Sequence, residues 1–267
     1  MATAPTSPTV PRAPEELNYL SYLRIPELLA LQTQRSEPPH PEELHFIVTH
    51  QAIELWFKLI LQDLDRIVAA IDADQWTGAV VLLRRVVDMV DVVMAQLRML
   101  QDMPPWAFHE FRSYLGTASG TQSEQFREIE VLSGLRDEDY LATLHAVHAE
   151  ELSVAVQARL AAPSLADAHA AAAVRLGITD LATFYAETGP TVPFYLLCEA
   201  LLDYDERFLR LRYGHLVLVE RALGGRTRGT AGTAITYLQR TTGYRFFPAL
   251  WEVRSALSVR GGGELAR

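Results

Sequence analysis

Cysteine is almost missing from this 267-residue chain: Cys198 stands alone. That excludes a disulfide framework and any zinc or iron–sulfur site built on several thiolates. Long apolar runs are missing too. The longest stretches, such as Ala79–Leu83 and Leu216–Val219, are short and interrupted by charge, well below the ~18 residues a membrane span needs. The first residues lack a basic start followed by an apolar run, so no secretory signal is expected and a cytoplasmic location is the default. Positive charge is in deficit, with 24 Lys+Arg against 33 Asp+Glu for a net charge of −9. This disfavours a general nucleic-acid binder. Alternating strand patterns joined by two-residue hairpin turns are lacking, as is any internal repeat.

What is present is apolar and helical. Hydrophobic residues make up 49% of the chain, enough for a large core. Four prolines (Pro5, Pro8, Pro11, Pro14) mark residues 1–14 as a disordered tail. Apolar residues then recur at helical spacing over Pro41–Ala73 and Gln75–Gln101, the latter ended by Pro104-Pro105. Shorter helices are predicted at Trp106–Leu115, Ser123–Ser133, Glu138–Ala161 and Leu165–Leu176. A long one follows at Pro193–Leu223, with two more near Ala234–Thr242 and Pro248–Leu257. The expectation is one all-α domain over residues 15–260 with a flexible end at 261–267. Breaks at Gly116–Gly120, Thr188–Pro190 and Gly224–Gly232 interrupt the helices, and such loops are where ligands are often gripped.

The third break places Gly224 and Gly229 at phosphate-loop spacing, but Thr230 stands where the lysine should be and a helix precedes it, so a P-loop is rejected. A small-residue loop that grips a carboxylate and a plain connector both remain open. Among eight histidines, Glu42-x-x-His45 is a lone half of a di-iron pattern. His145 and His148 read as a solvated face. His50 and His215 sit on apolar helix faces, either as satisfied core residues, as haem ligands or as hydrogen-bonding groups in a closed pocket. Arg112, flanked by Phe108 and Phe111, suits planar capture of a carboxylate or a salt bridge to a neighbouring Glu. Tyr19 and Tyr22 read as core or interface residues.

Several strings, in this order, resemble the tryptophan 2,3-dioxygenase family. They are Asn18-Tyr19-Leu20-Ser21-Tyr22-Leu23; Phe46-Ile47-Val48-Thr49-His50-Gln51-Ala52-Ile53-Glu54-Leu55-Trp56-Phe57-Lys58; Phe111-Arg112; Leu115-Gly116-Thr117-Ala118-Ser119-Gly120 with Gln122-Ser123; and Phe126-Arg127 with Glu130. His215 with Val219-Glu220-Arg221, Gly229-Thr230, Tyr237-Leu238 and Phe247-Pro248-Ala249-Leu250-Trp251 complete the match. The resemblance implies an all-helical fold, haem b on one axial histidine, O2 as co-substrate, and a homotetramer built as a dimer of dimers. It implies that His215 is the proximal iron ligand, that His50 bonds the indole N–H beside Phe46, and that Arg112 and Thr230 hold the amino-acid head group. Phe108, Leu115, Ser119 and Gly120 would line the pocket, while Tyr19, Tyr22 and Leu23 would close the pocket of a neighbouring subunit. Cys198 is then not the haem ligand. The implied reaction is ring-opening dioxygenation of an indolic amino acid to N-formylkynurenine, with the haem supplying the oxygen chemistry and the protein the placement.

Departures from the family pattern keep alternatives in view. The loop reads Gly229-Thr230-Ala231-Gly232-Thr233-Ala234-Ile235 where the family is richer in Gly and Ser. The residues before His215 are Leu211-Arg212-Tyr213-Gly214 instead of Trp-Arg-x-Arg, and an acidic pair is shifted to Pro41-Glu42-Glu43. One alternative is a mono-oxygenase that converts tryptophan or a substituted tryptophan to a 2-oxindole amino acid. The other is a helical haem- or gas-binding protein without turnover, against which Arg112 and the Thr230 loop both count.

Overall fold

Three long helices carry the architecture, because their apolar residues repeat at alternating spacings of three and four, the pattern that keeps one seam facing a partner helix. The computed structural model describes residues 17–147, 152–224 and 235–265. Two five-residue helices come first, α1 (Tyr19–Leu23) and α2 (Ile25–Leu29), divided by Arg24 at φ 52°. They are followed by α3 (Pro41–Asp72) and α4 (Trp76–Met99). Next come α5 (Pro105–Phe111), α6 (Glu124–Ser133), α7 (Glu138–Val147), α8 (Val154–Ala161), α9 (Leu165–Arg175) and α10 (Leu181–Glu187). The chain then forms α11 (Pro193–Leu223), α12 (Ile235–Thr241) and α13 (Pro248–Leu265). No strand occurs among the described residues, and the all-α expectation holds.

On α3 the buried seam is Ile53, Phe57, Ile60, Leu64, Ile67 and Ile71; on α4 it is Ala79, Leu83, Val86, Val90 and Val93. On α11 it is Leu197, Leu201, Tyr204, Phe208, Leu211 and Leu218. Continuing the α3 series backwards reaches His50 and Phe46, and the α11 series passes through His215 between Leu211 and Leu218. Both histidines therefore occupy inward positions of the bundle. The short link after Asp72 makes α3 and α4 antiparallel neighbours. α11 runs parallel to α4: Trp76 meets Phe194 at 5.6 Å between ring centroids, and Asp91 pairs with Arg207 at 3.4 Å. The ends of the three helices that carry His50, Leu97 and His215 thus converge.

Side chains set the boundaries. Ser123 caps α6 by accepting from the Phe126 N–H at 3.2 Å, and the helix stops at Gly134, whose φ of 122° disfavours any side chain. A Cβ there would lie 2.5 Å from Ala166 Cβ, so the glycine also permits the approach of α9. Asp205 of α11, fully buried, accepts from Phe246 N–H (3.0 Å), Phe247 N–H (3.1 Å) and Trp251 Nε1–H (3.0 Å), which fixes the turn into α13.

Four expectations are corrected. The helix predicted over Glu138–Ala161 is two, because Ser153 starts a new one by capping Val156 N–H at 3.4 Å. The helix predicted to reach Leu115 changes to a 3₁₀ turn at Arg112–Leu115. The helix α10, capped by Asp180, was not anticipated. Finally, the helix predicted over Pro248–Leu257 runs on as α13 to Leu265.

Candidate active site

Where the three seams run out of apolar partners, space opens. Three adjoining cavities are all lined by His50 and His215. The first holds about 790 Å³ of empty space between α3, α4, α11 and α12, walled by Ile53, Phe57, Leu97 and Phe126. The second, about 760 Å³, extends under Phe46, Phe108, Leu115, Ser119 and Gly120. A recess with mostly apolar walls and a few polar groups suits an organic ligand.

The two histidines differ in state. His50 Nδ1 lies 2.8 Å from the Phe46 carbonyl oxygen. Nδ1–H is therefore the donor, leaving the Nε2 lone pair as an acceptor. Burial lowers the His50 pKa, opposed by that hydrogen bond and by the Glu54 carboxylate. Burial, then the His50 and Arg127 charges, push His215 down to about 4. At neutral pH both rings are neutral, the form in which imidazole ligates a metal or accepts a hydrogen bond.

Aromatic rings build the wall beside His50. The Phe46 ring lies 4.0 Å from the His50 ring, 6.0 Å from Phe108 and 5.8 Å from Phe111. Ser119 caps the 3₁₀ turn at Gly120–Gln122, accepting from Thr121 Oγ1–H at 3.1 Å, while its own N–H donates to Gln122 Oε1 at 3.1 Å. Gln125 of α6 donates to the Glu54 carboxylate at 2.7 Å, joining α6 to α3 at the cavity edge.

A buried charged cluster closes the other side. Glu130, fully buried, takes Arg127 Nη1 at 2.7 Å, Arg212 Nη2 at 3.1 Å and the Tyr140 hydroxyl at 3.1 Å. Arg127 also donates to the Tyr237 hydroxyl at 3.1 Å. Burial opposes the Arg127 charge, but Glu130, Tyr237 and Tyr140 outweigh it and its pKa is raised. Both guanidiniums line the first cavity, and the Nε–H of each is buried without a partner. A buried donor left unpaired costs about 1–3 kcal/mol; two guanidiniums sharing one carboxylate leave this wall of the cavity net positive, which suits an anionic group.

Most of the expected site residues come together: Phe46, His50, Phe108, Leu115, Ser119, Gly120 and His215 share these cavities. Arg112 is half-buried at the end of α5, beside that wall but outside the lining of the three cavities. Tyr19, Tyr22 and Leu23 are exposed by 72%, 72% and 44%, so they line no pocket of their own chain. Thr230 and the Gly229–Ala234 stretch lie outside the described residues, as does His148; Ile235 is buried at the second cavity. Of the departures, Leu211 lines the first cavity and Gly214 has open space where a Cβ would sit. His45 pairs with Glu42 at 3.3 Å, and no cluster of three metal-ligating side chains occurs among the described residues, so the di-iron reading lapses. Sequence reasoning gave no role to Glu54, Arg127, Arg212 and Tyr237. The signal available was charge on otherwise apolar helix faces at residues 127, 130 and 212.

Comparison with known proteins identifies the family. The family model described as tryptophan 2,3-dioxygenase matches residues 8–177 and 168–257. A Herpetosiphon aurantiacus protein named tryptophan 2,3-dioxygenase is 37% identical over 257 residues, covering 88% of this chain and 96% of its own. A Nocardioides protein of the same name is 37% identical over 88% of this chain and 92% of its own. A third, from Myxococcus xanthus, is 31% identical over 88% of both. With the family model spanning nearly the whole helical region and the paired histidines at its centre, the chain belongs to the tryptophan 2,3-dioxygenase family.

Proposed function

We propose that the chain is a haem-dependent oxidoreductase that uses O2 to cleave the indole ring of L-tryptophan, giving N-formylkynurenine. The observation that carries this is the placement of two neutral histidines, from α3 and α11, on one apolar cavity. A single histidine as metal ligand requires a metal that brings its remaining ligands with it, as a porphyrin does. His215 would hold the iron of haem b, and Arg127, Arg212 and Tyr237, which line the same cavity, would hold its carboxylates. When bound, the haem supplies oxygen activation.

The chain's own residues do the rest. His50 Nε2, held as an acceptor by the Phe46 carbonyl, receives the indole N–H. Phe46 and Phe108 pack on the ring system and keep water out. Arg112, with Thr230, grips the α-carboxylate, so both ends of the substrate are fixed and orientation lowers the barrier. The relatives' names favour two-atom insertion over the oxindole-forming and gas-binding alternatives. A cytoplasmic homotetramer completes the reading. The exposed Tyr19, Tyr22 and Leu23 then cover a neighbour's pocket, and their exposure in one chain supports it. No helix among the described residues is long and apolar enough to cross a membrane.

Reduced, haem-loaded protein incubated with L-tryptophan under labelled oxygen tests this. Two labelled atoms in the product are expected. One atom supports the oxindole alternative, and no oxygenated product overturns the proposal.

A further inference from the structure

Arg112 stands on a short piece of backbone. It begins a four-residue 3₁₀ turn, Arg112–Leu115, after the seven residues of α5, and segments this short have little stability of their own. Side chains on either side of it are tied to one loop. Two residues before, Glu110 Oε2 lies 2.9 Å from His40 Nε2; two residues after, the Tyr114 hydroxyl donates to the Glu37 carbonyl at 3.0 Å. His40 Nδ1 accepts from the Glu42 N–H at 3.2 Å, so Nε2 carries the proton and donates to Glu110. The His40 ring also packs 5.6 Å from Phe111.

The loop is itself fixed. The buried Glu43 carboxylate accepts from the Arg35 N–H at 2.8 Å and the Ser36 N–H at 2.9 Å, and His40 N–H donates to Ser36 Oγ at 2.8 Å. These contacts connect the first turn of α3 to the turn that bears Arg112. The same helix carries Phe46 and His50 less than three turns further on. One polar chain thereby sets the distance between the two grips that a substrate with an indole and a carboxylate requires.

We propose that His40, acting through Glu110, and Tyr114 are positioning residues that hold Arg112 in register with His50 for an α-amino-acid carboxylate. The inference rests on the oxygenase reading above. His40→Ala and Tyr114→Phe test it, the second removing only a hydroxyl. In haem-loaded protein each is expected to raise KM for L-tryptophan by about three- to tenfold, the size of one lost hydrogen bond, with kcat and the Soret band unchanged. In an Arg112→Ala background the same changes are expected to raise KM by less than about twofold, since coupled residues are not additive. An unchanged KM in both variants, a full-sized effect without Arg112, or loss of haem together with kcat overturns the positioning role while leaving the oxygenase reading intact. An unaltered protein that loads haem but neither binds nor converts L-tryptophan overturns both.

Discussion

Replacing Glu130 with Gln removes the carboxylate shared by two buried guanidiniums. In the native arrangement Glu130 holds Arg127 at 2.7 Å and Arg212 at 3.1 Å, with the exposure of the three side chains at 1%, 7% and 2%. Gln keeps the volume and one acceptor oxygen but not the charge, so two cations remain in a low-dielectric interior facing each other. Breaking a buried ion pair by removing one partner costs about 3–5 kcal/mol. For a chain of this size each kcal/mol lowers Tm by roughly 2–4 °C, so a fall of about 6–20 °C is expected for the apoprotein. If haem binds with its carboxylates against Arg127 and Arg212, loading should raise Tm more in the variant than in the unaltered protein. Thermal unfolding followed by far-UV circular dichroism, with and without haem, measures both. An apoprotein Tm within about 2 °C of the unaltered value, or a smaller haem-induced rise in the variant, would refute the assignment of this cluster.

Three further outcomes follow from the packing. Gly134→Ala places a methyl group 2.5 Å from Ala166 Cβ at a φ of 122°; urea unfolding should show a loss of about 2–4 kcal/mol. His169, buried against Cys198 at 3.3 Å, is pushed down to about 4 by desolvation. The unfolded chain therefore binds more protons than the folded one below the ordinary histidine value of 6.5, and stability falls as pH drops from there towards 4. His169→Gln should flatten that part of an apoprotein pH–stability curve, and an unchanged slope would contradict it. Asp205→Ala strands three N–H donors at the entry to α13, so hydrogen exchange should accelerate first at Phe246 and Phe247.

The legible part of this protein is the part written in one-dimensional periodicity. Alternating spacings of three and four from Ile53 to Ile71 and from Leu197 to Leu218 give the bundle, and the same periodicity sets His50 and His215 on apolar helix faces. The Glu130 cluster was not legible as a cluster, because residues 127, 130, 140, 212 and 237 meet only when α6, α7, α11 and α12 pack. The break before Ser153 and the 3₁₀ turn at Arg112 escaped for another reason. Local hydrogen bonds decide helix ends there, and a serine cap competes with a pattern that reads as continuous. The tie from His40 to Glu110 spans 70 residues and is a property of the loop, not of helical spacing.

The most direct test of the two-histidine site is a haem titration of the unaltered apoprotein, His215→Ala and His50→Ala, followed by addition of L-tryptophan to each. The expected result is a stoichiometric Soret band in the unaltered protein and in His50→Ala, and its loss in His215→Ala with the helical signal intact. A tryptophan-induced shift should survive in the unaltered protein and weaken in His50→Ala. Equal haem retention in all three, or an identical tryptophan response without His50, would contradict the assignment of opposite roles to the histidines of α3 and α11.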